Sequence, residues 1–390
     1  MRKRQNKTLK QGMYAIMFEL VRAAALDRVP HISSDKNIEW ELIFDQAREH
    51  GLIGWIWDGM KRLPQTQQPS RFQRIGWGLS AQEIETRYYH HKKVLREMIA
   101  ICNQHNIRLL LLKGFCLSEL YPKPECRPAG DIDIYLFDDF EKGNSLFSDG
   151  EIPYKFKHTA FDFQGAHIEN HQMLVTPNSS IKRRIGAYLL DSMDSVKLTH
   201  EGYYTLPTIP NLVYLIMHAL NHANYYPDEE FLNLKNLLDL AIYFKENQDQ
   251  LLPTEVKVVM KSLHFERSFE LIVYLSEWLL EIDLSQYHVG VMSRKDKESI
   301  YRLLVEEGMS LRISSDVVVG QAKAYWDRYL KLRRIYKYIP RKHENLHTIT
   351  FHQIVSIKAR SVLHLSEGET VRGIFKEKIG KKKTDSKKKQ

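Results

Sequence analysis

The stretch Asp131-Ile132-Asp133-Ile134-Tyr135-Leu136-Phe137 places two carboxylates two residues apart in an alternating run. Alternation is the period of a strand, so Asp131 and Asp133 share one face and the isoleucines the other. Two carboxylates about 6–7 Å apart along one strand face repel each other. Asp is also disfavoured in a strand interior. The pattern asks for a compensating cation. Oxygen ligands at this separation suit Mg2+ or Mn2+, held by one or two carboxylates together with substrate phosphates. Glu169 is the candidate third carboxylate, because it follows its own apolar–polar alternation 36 residues beyond Asp133. Metal ions held by three carboxylates clamp the attacking and leaving oxygens of a phosphoryl displacement.

An isolated Asp-x-Asp is commonly the solvent face of an edge strand. Three neighbours argue for chemistry here. Gly114 ends a buried strand 17 residues before Asp131, where backbone can approach phosphates closely. Lys113 beside it offers a point charge to a phosphate. Arg127, four residues before Asp131, offers a fork to phosphate oxygens. His218 and His222 lie one helical turn apart and face the same way. With no Glu at the second position and no third ligand, they fit a polar cleft wall better than a zinc site. Asp239 is a plausible partner for one of them. His171 shares the strand face of Glu169 and is placed to orient substrate, whereas His167 reads as an outward strand residue. Cys116 and Cys126 flank the region without the signature of a thiol nucleophile.

These side chains need elements to hold them. Residues 11–27 form an amphipathic helix, with Met13, Ile16, Met17, Leu20 and Ala24 at helical spacing. A second helix is expected near 38–50, a proline-containing loop over 64–70, and a long helix over 76–105. The apolar run 107–112 reads as a buried strand, 121–130 as a proline-rich loop, and 131–137 as the acidic strand. Two more strands are expected near 153–157 and 161–175, turning near His158. From Pro210 the chain reads as helical, over 210–223, 229–245, 253–264, 266–281, 294–307 and 316–338. The fold class is therefore α+β, a small mixed sheet flanked by N-terminal and C-terminal helical regions. The expected divisions are 1–70, 71–205 and 206–340, followed by a segment and basic tail over 341–390.

Composition narrows the field. At 390 residues and 43% apolar content, a wholly disordered chain is excluded. No apolar run reaches the ~18 residues of a bilayer span, and the first residues lack a signal-type apolar stretch. Three cysteines without Cys-x-x-Cys spacing exclude a disulfide scaffold and favour a cytoplasmic setting. The net charge of +9 is concentrated at the ends: residues 1–10 carry +5 and residues 376–390 carry +6, leaving −2 on the rest. Lysine-rich ends bind polyanions weakly and without sequence preference, so a nucleic-acid contact through the tails is an expectation of that weak kind.

The strand ending in Gly, the Asp-x-Asp on the next strand and an acid on a third resemble the polymerase-beta-like nucleotidyltransferase superfamily. More narrowly, Lys113-Gly114, Tyr121-Pro122, Arg127 and Gly130-Asp131-Ile132-Asp133 resemble an uncharacterised nucleotidyltransferase family of bacteria, often linked to surface-polysaccharide or tailoring genes. Glu169-Asn170-His171, His218 with His222, and Leu234 to Asp239 match its later elements, over roughly residues 35–260. Glu169 stands where Asp is commoner, and Gly114-Phe115 where the superfamily has Gly-Ser. The resemblance implies transfer of a nucleoside monophosphate from a nucleoside triphosphate to a hydroxyl or phosphate acceptor. It implies Mg2+ or Mn2+ on Asp131, Asp133 and Glu169. Lys113, Gly114 and Arg127 would hold the nucleotide, and His171, His218, His222 and Asp239 would line the cleft. A small molecule or saccharide is the favoured acceptor. Two other functions fit the same residues: a non-catalytic binding or regulatory protein on a degenerate scaffold, and an enzyme whose acceptor is RNA.

Overall fold

The structure is a computed structural model that describes residues 2–33, 38–148, 157–221, 234–298 and 300. Helix α1 (Arg2–Ala25) buries the expected stripe, with Met17 and Leu20 fully covered. Helices α2 (Trp40–Glu49) and α3 (Ile53–Lys61) fold back beside it. Helix α4 (Arg71–Gln104) starts at a capping box in which Ser70 and Gln73 satisfy each other's backbone donors. Its apolar positions Tyr88, Leu95, Met98 and Cys102 are buried.

A six-stranded sheet follows, in the order β3-β4-β2-β1-β6-β5. Its strands are β1 (Leu110–Leu111), β2 (Ile132–Tyr135), β3 (His158–Phe163), β4 (Ala166–His171), β5 (Lys197–Leu198) and β6 (Tyr204–Thr205). β2 runs antiparallel to β1 and parallel to β4, and β3 and β4 form an antiparallel hairpin. The class is the α+β mixed sheet flanked by helices that the sequence indicates. Helix α5 (Phe140–Phe147) joins β2 towards β3, and α6 (Ser180–Asp191) joins β4 towards β5. The C-terminal helices are α7 (Thr208–Asn221), α8 (Leu234–Glu246), α9 (Pro253–Ser262) and α10 (Glu266–Leu280).

Several boundaries differ from expectation. The hairpin turns at Gln164-Gly165, with φ of 51° and 80°, and not near His158. A two-residue turn with both residues left-handed matches strand twist, and Gly165 accepts it freely. His158 is thereby moved from a turn into a strand. β2 begins one residue after Asp131 and ends before Phe137, whose φ of 55° turns the chain into α5. Helices α3, α5 and α6 and the short strands β5 and β6 are additions to the expected pattern. The helices expected over 316–338 and most of 294–307 lie outside the described residues.

The sheet has two unlike faces. Ile132, Ile134, Ala166 and Ile168 are buried on one face in a core with Val94, Leu95 and Met98 of α4 and Phe147 of α5. Asp133, Tyr135, Glu169 and His171 alternate onto the other. The N-terminal and C-terminal helices share a second core: Phe18 meets Trp278 edge-on at 4.9 Å, and Arg22 donates to the Leu279 carbonyl at 2.7 Å.

Candidate active site

Register brings the acidic residues together. Asp133 of β2 lies directly opposite Glu169 of the parallel strand β4. Glu169 also faces Ala160 of β3, and His171 faces His158. Asp133, Glu169, His171 and His158 therefore occupy adjoining positions on one sheet face. His171 Nε2 is 2.8 Å from Asp133 Oδ1 and 3.5 Å from Glu169 Oε2. His158 Nε2 is 3.4 Å from Glu169 Oε1. Asp133 is buried, and Glu169 is half-buried. Asp131 is exposed just ahead of the strand.

The compensating charge that two carboxylates require comes in part from the chain. Lys113 Nζ is 2.7 Å from Asp133 Oδ1. The next residue, Gly114, has φ +57°, and a Cβ there would stand 3.5 Å from the Asp131 carbonyl and 3.7 Å from Asp133 Oδ2. The hydrogen bond from the Leu112 N–H to the Asp133 carbonyl, 2.9 Å, fixes this turn against β2. Hydrogen bonding from His171 holds the Glu169 carboxyl well below the usual range; burial opposes this, and Lys113 and His158 reinforce it. The donors thus include the Glu169 carboxylate, held ionised, which fits a divalent cation.

Three functional candidates escaped the sequence reading. Lys157 is half-buried near Lys113, Asp133 and Glu169; burial first, then Lys113, pushes its ammonium pKa down, against the pull of both acids. His158 was hidden by the misplaced turn, although the alternation His158-Ala160-Asp162 could have revealed it. Tyr214 of α7 is buried, and its hydroxyl has no hydrogen-bond partner among the described residues. Burial, then the charge of Asp133, raises its pKa strongly. Its spacing of four residues from His218, on which it stacks at 6.4 Å, was the available signal.

Arg127 corrects an expectation. Its Nε and Nη2 donate to the two oxygens of Asp239 at 2.8 and 2.7 Å, and Tyr121 donates to the same carboxylate at 2.8 Å. Arg127 is 2% exposed. Its fork is spent on a carboxylate of α8, where its spacing alone suggests phosphate oxygens, and Asp239 pairs with Arg127 and Tyr121. Burial opposes the Arg127 charge, but Asp239 more than offsets this and raises the guanidinium pKa. Lys235, one turn before Asp239, is half-buried; burial, then Arg127, lowers its pKa, with Asp239 and Asp131 opposing. The structure therefore groups Lys113, Gly114, Asp133, Glu169 and His171 and pairs Arg127 with Asp239. His218 is half-buried on α7, and His222 lies outside the described residues.

The site thus sets acids on one face of a mixed sheet beside a glycine turn. Residues 36–281 match the model of the family described as "Uncharacterised nucleotidyltransferase", and the chain belongs to that family. No curated protein and no solved structure matches it. No helix among the described residues is long and apolar enough to cross a membrane.

Proposed function

We propose that this protein transfers a nucleoside monophosphate from a nucleoside triphosphate to a hydroxyl or phosphate group of a small molecule or saccharide, with Mg2+ or Mn2+ as cofactor. The observation that carries this reading is the register of Asp133 against Glu169 on neighbouring strands, with Lys113 and Gly114 beside them. Asp131, Asp133 and Glu169 would hold the divalent cation. When bound, the cation neutralises phosphate charge.

The remaining work falls to the chain. Lys113 and Lys157 attract the triphosphate and take the place expected of Arg127. The Gly114 turn lets the polyphosphate approach the backbone closely. His171 Nε2 fixes the rotamer of Asp133. Glu169 receives the proton of the acceptor oxygen at a carboxylate oxygen as that oxygen attacks the α-phosphorus. A new phosphorus–oxygen bond forms, and the bond to pyrophosphate breaks. Catalysis is mostly positioning in this scheme.

The test is label transfer. The protein is incubated with each α-labelled triphosphate, Mg2+ or Mn2+, and an extract of small molecules and polymers. Labelled product and released pyrophosphate are expected, and Asp133→Asn should abolish both while leaving the fold intact. Full activity in Asp133→Asn would remove Asp133 from the reaction. An RNA product would reassign the acceptor. Absence of transfer with every triphosphate would favour a binding protein.

A further inference from the structure

Glu169 has neighbours that an all-oxygen magnesium site does not need. His158 and His171 stand opposite each other across the β3–β4 pair, with ring centroids 5.3 Å apart. One ligand atom from each of His158, Glu169 and His171 falls within 4.8 Å of the other two. The two histidine–carboxylate distances, 3.4 and 3.5 Å, use the Nε2 atom of each ring. Ligand atoms around a tetrahedral ion at about 2.0–2.1 Å are separated by roughly 3.3–3.4 Å. The first distance ends on Oε1 and the second on Oε2, so both lie near that spacing for an ion held by the two oxygens of the Glu169 carboxylate.

We propose that His158, Glu169 and His171 form a nitrogen–oxygen site for a divalent first-row transition-metal ion, selected over Mg2+. Imidazole nitrogen suits such ions, whereas Mg2+ strongly prefers oxygen. Two imidazoles in a three-residue set are thus a selectivity device. His171 is fully buried with Nε2 aimed at the acids, 2.8 Å from Asp133 Oδ1, and binding an ion would exchange that hydrogen bond, and its proton, for the metal. If His171 Nε2 turns to an ion, Asp133 keeps Lys113 as its counter-charge at 2.7 Å. The site gains a ligand without leaving a buried carboxylate alone. The inference shares Glu169 with the nucleotidyl-transfer reading but does not require that reaction to occur.

The full chain, stripped of metal with a chelator, is titrated with Co2+ with and without a hundredfold excess of Mg2+, and visible absorption reads the coordination. Bound Co2+ should show the strong bands of a tetrahedral nitrogen–oxygen site and should resist displacement by Mg2+. His158→Gln should weaken Co2+ binding and lose those bands. Co2+ bound with only the weak bands of an octahedral all-oxygen site, or displaced fully by Mg2+, overturns the site. So does a His158→Gln variant that binds Co2+ as the parent does. If His158→Gln does not fold, the bands and Mg2+ competition of the unaltered protein decide the matter. Tetrahedral Co2+ in a protein that transfers no nucleotide would uphold this site and overturn the proposed reaction.

Discussion

At Gly114 the backbone is left-handed, with φ +57°, and its α-carbon faces Asp133 Oδ2 and the Asp131 carbonyl. An L side chain in that conformation costs about 1–2 kcal/mol. The space for a Cβ is ordinary, at 3.5 and 3.7 Å, so Gly114→Ala should fold. Its methyl would nevertheless stand between the turn and Asp133. We expect urea unfolding to show a loss of about 1–2 kcal/mol. The stabilisation of the protein by triphosphate and metal in thermal melting should shrink further than that loss explains. Arg127 belongs to the same scale. Its spacing from Asp131 is visible in the chain, but the carboxylate that claims it lies 112 residues away.

At the scale of elements, that pair ties a loop to a helix. The loop 121–130 leads directly into Asp131, and Tyr121, Arg127 and Asp239 lock it to α8. A second anchor holds its other side: buried Asp58 of α3 pairs with Arg62 at 2.7 Å and also with Lys123 of the loop. Gly54 of α3 admits the loop backbone, since a Cβ there would sit 2.1 Å from the Cys126 carbonyl. Breaking a buried ion pair from one side leaves an uncompensated charge and costs about 3–5 kcal/mol. Asp239→Leu should therefore destabilise by about that amount in denaturant titration. Adding Arg127→Met to it should recover much of the loss, a coupling that a double-mutant cycle measures. The helices themselves were legible where their apolar stripe is long, as in α1, α4 and α7 to α10. Short elements such as β5, β6 and α5 carry too few residues for a period to declare itself.

At the scale of the whole molecule, helices from both ends of the described chain close one core, and α4 lines the other. His91 of α4 is buried, and its Nδ1 has no hydrogen-bond partner among the described residues. Burial, helped by His90 and Arg87, lowers its pKa from 6.5 to about 4. Between those values the unfolded chain takes up a proton that the folded chain refuses. Stability from this group is thus complete above the unfolded pKa and is lost as pH falls toward the folded one. The full effect is on the order of 3 kcal/mol. Unfolding free energies measured on either side of that window should fall more steeply for the natural protein than for His91→Phe. An equal slope in both would remove His91 as the cause.

The primary structure alone determined the class of the protein, because strand alternation and acidic spacing are local properties of neighbouring residues. Lys113-Gly114, the aspartate pair and Glu169 are all visible as local patterns. Tertiary structure alone decided which charges meet. Pairing of β2 with β4 set Asp133 against Glu169, the position of the hairpin turn brought His158 to His171, and packing of α8 set Arg127 on Asp239. Those outcomes depend on register and on contacts between distant segments, and a change of one residue in register reverses a strand's faces.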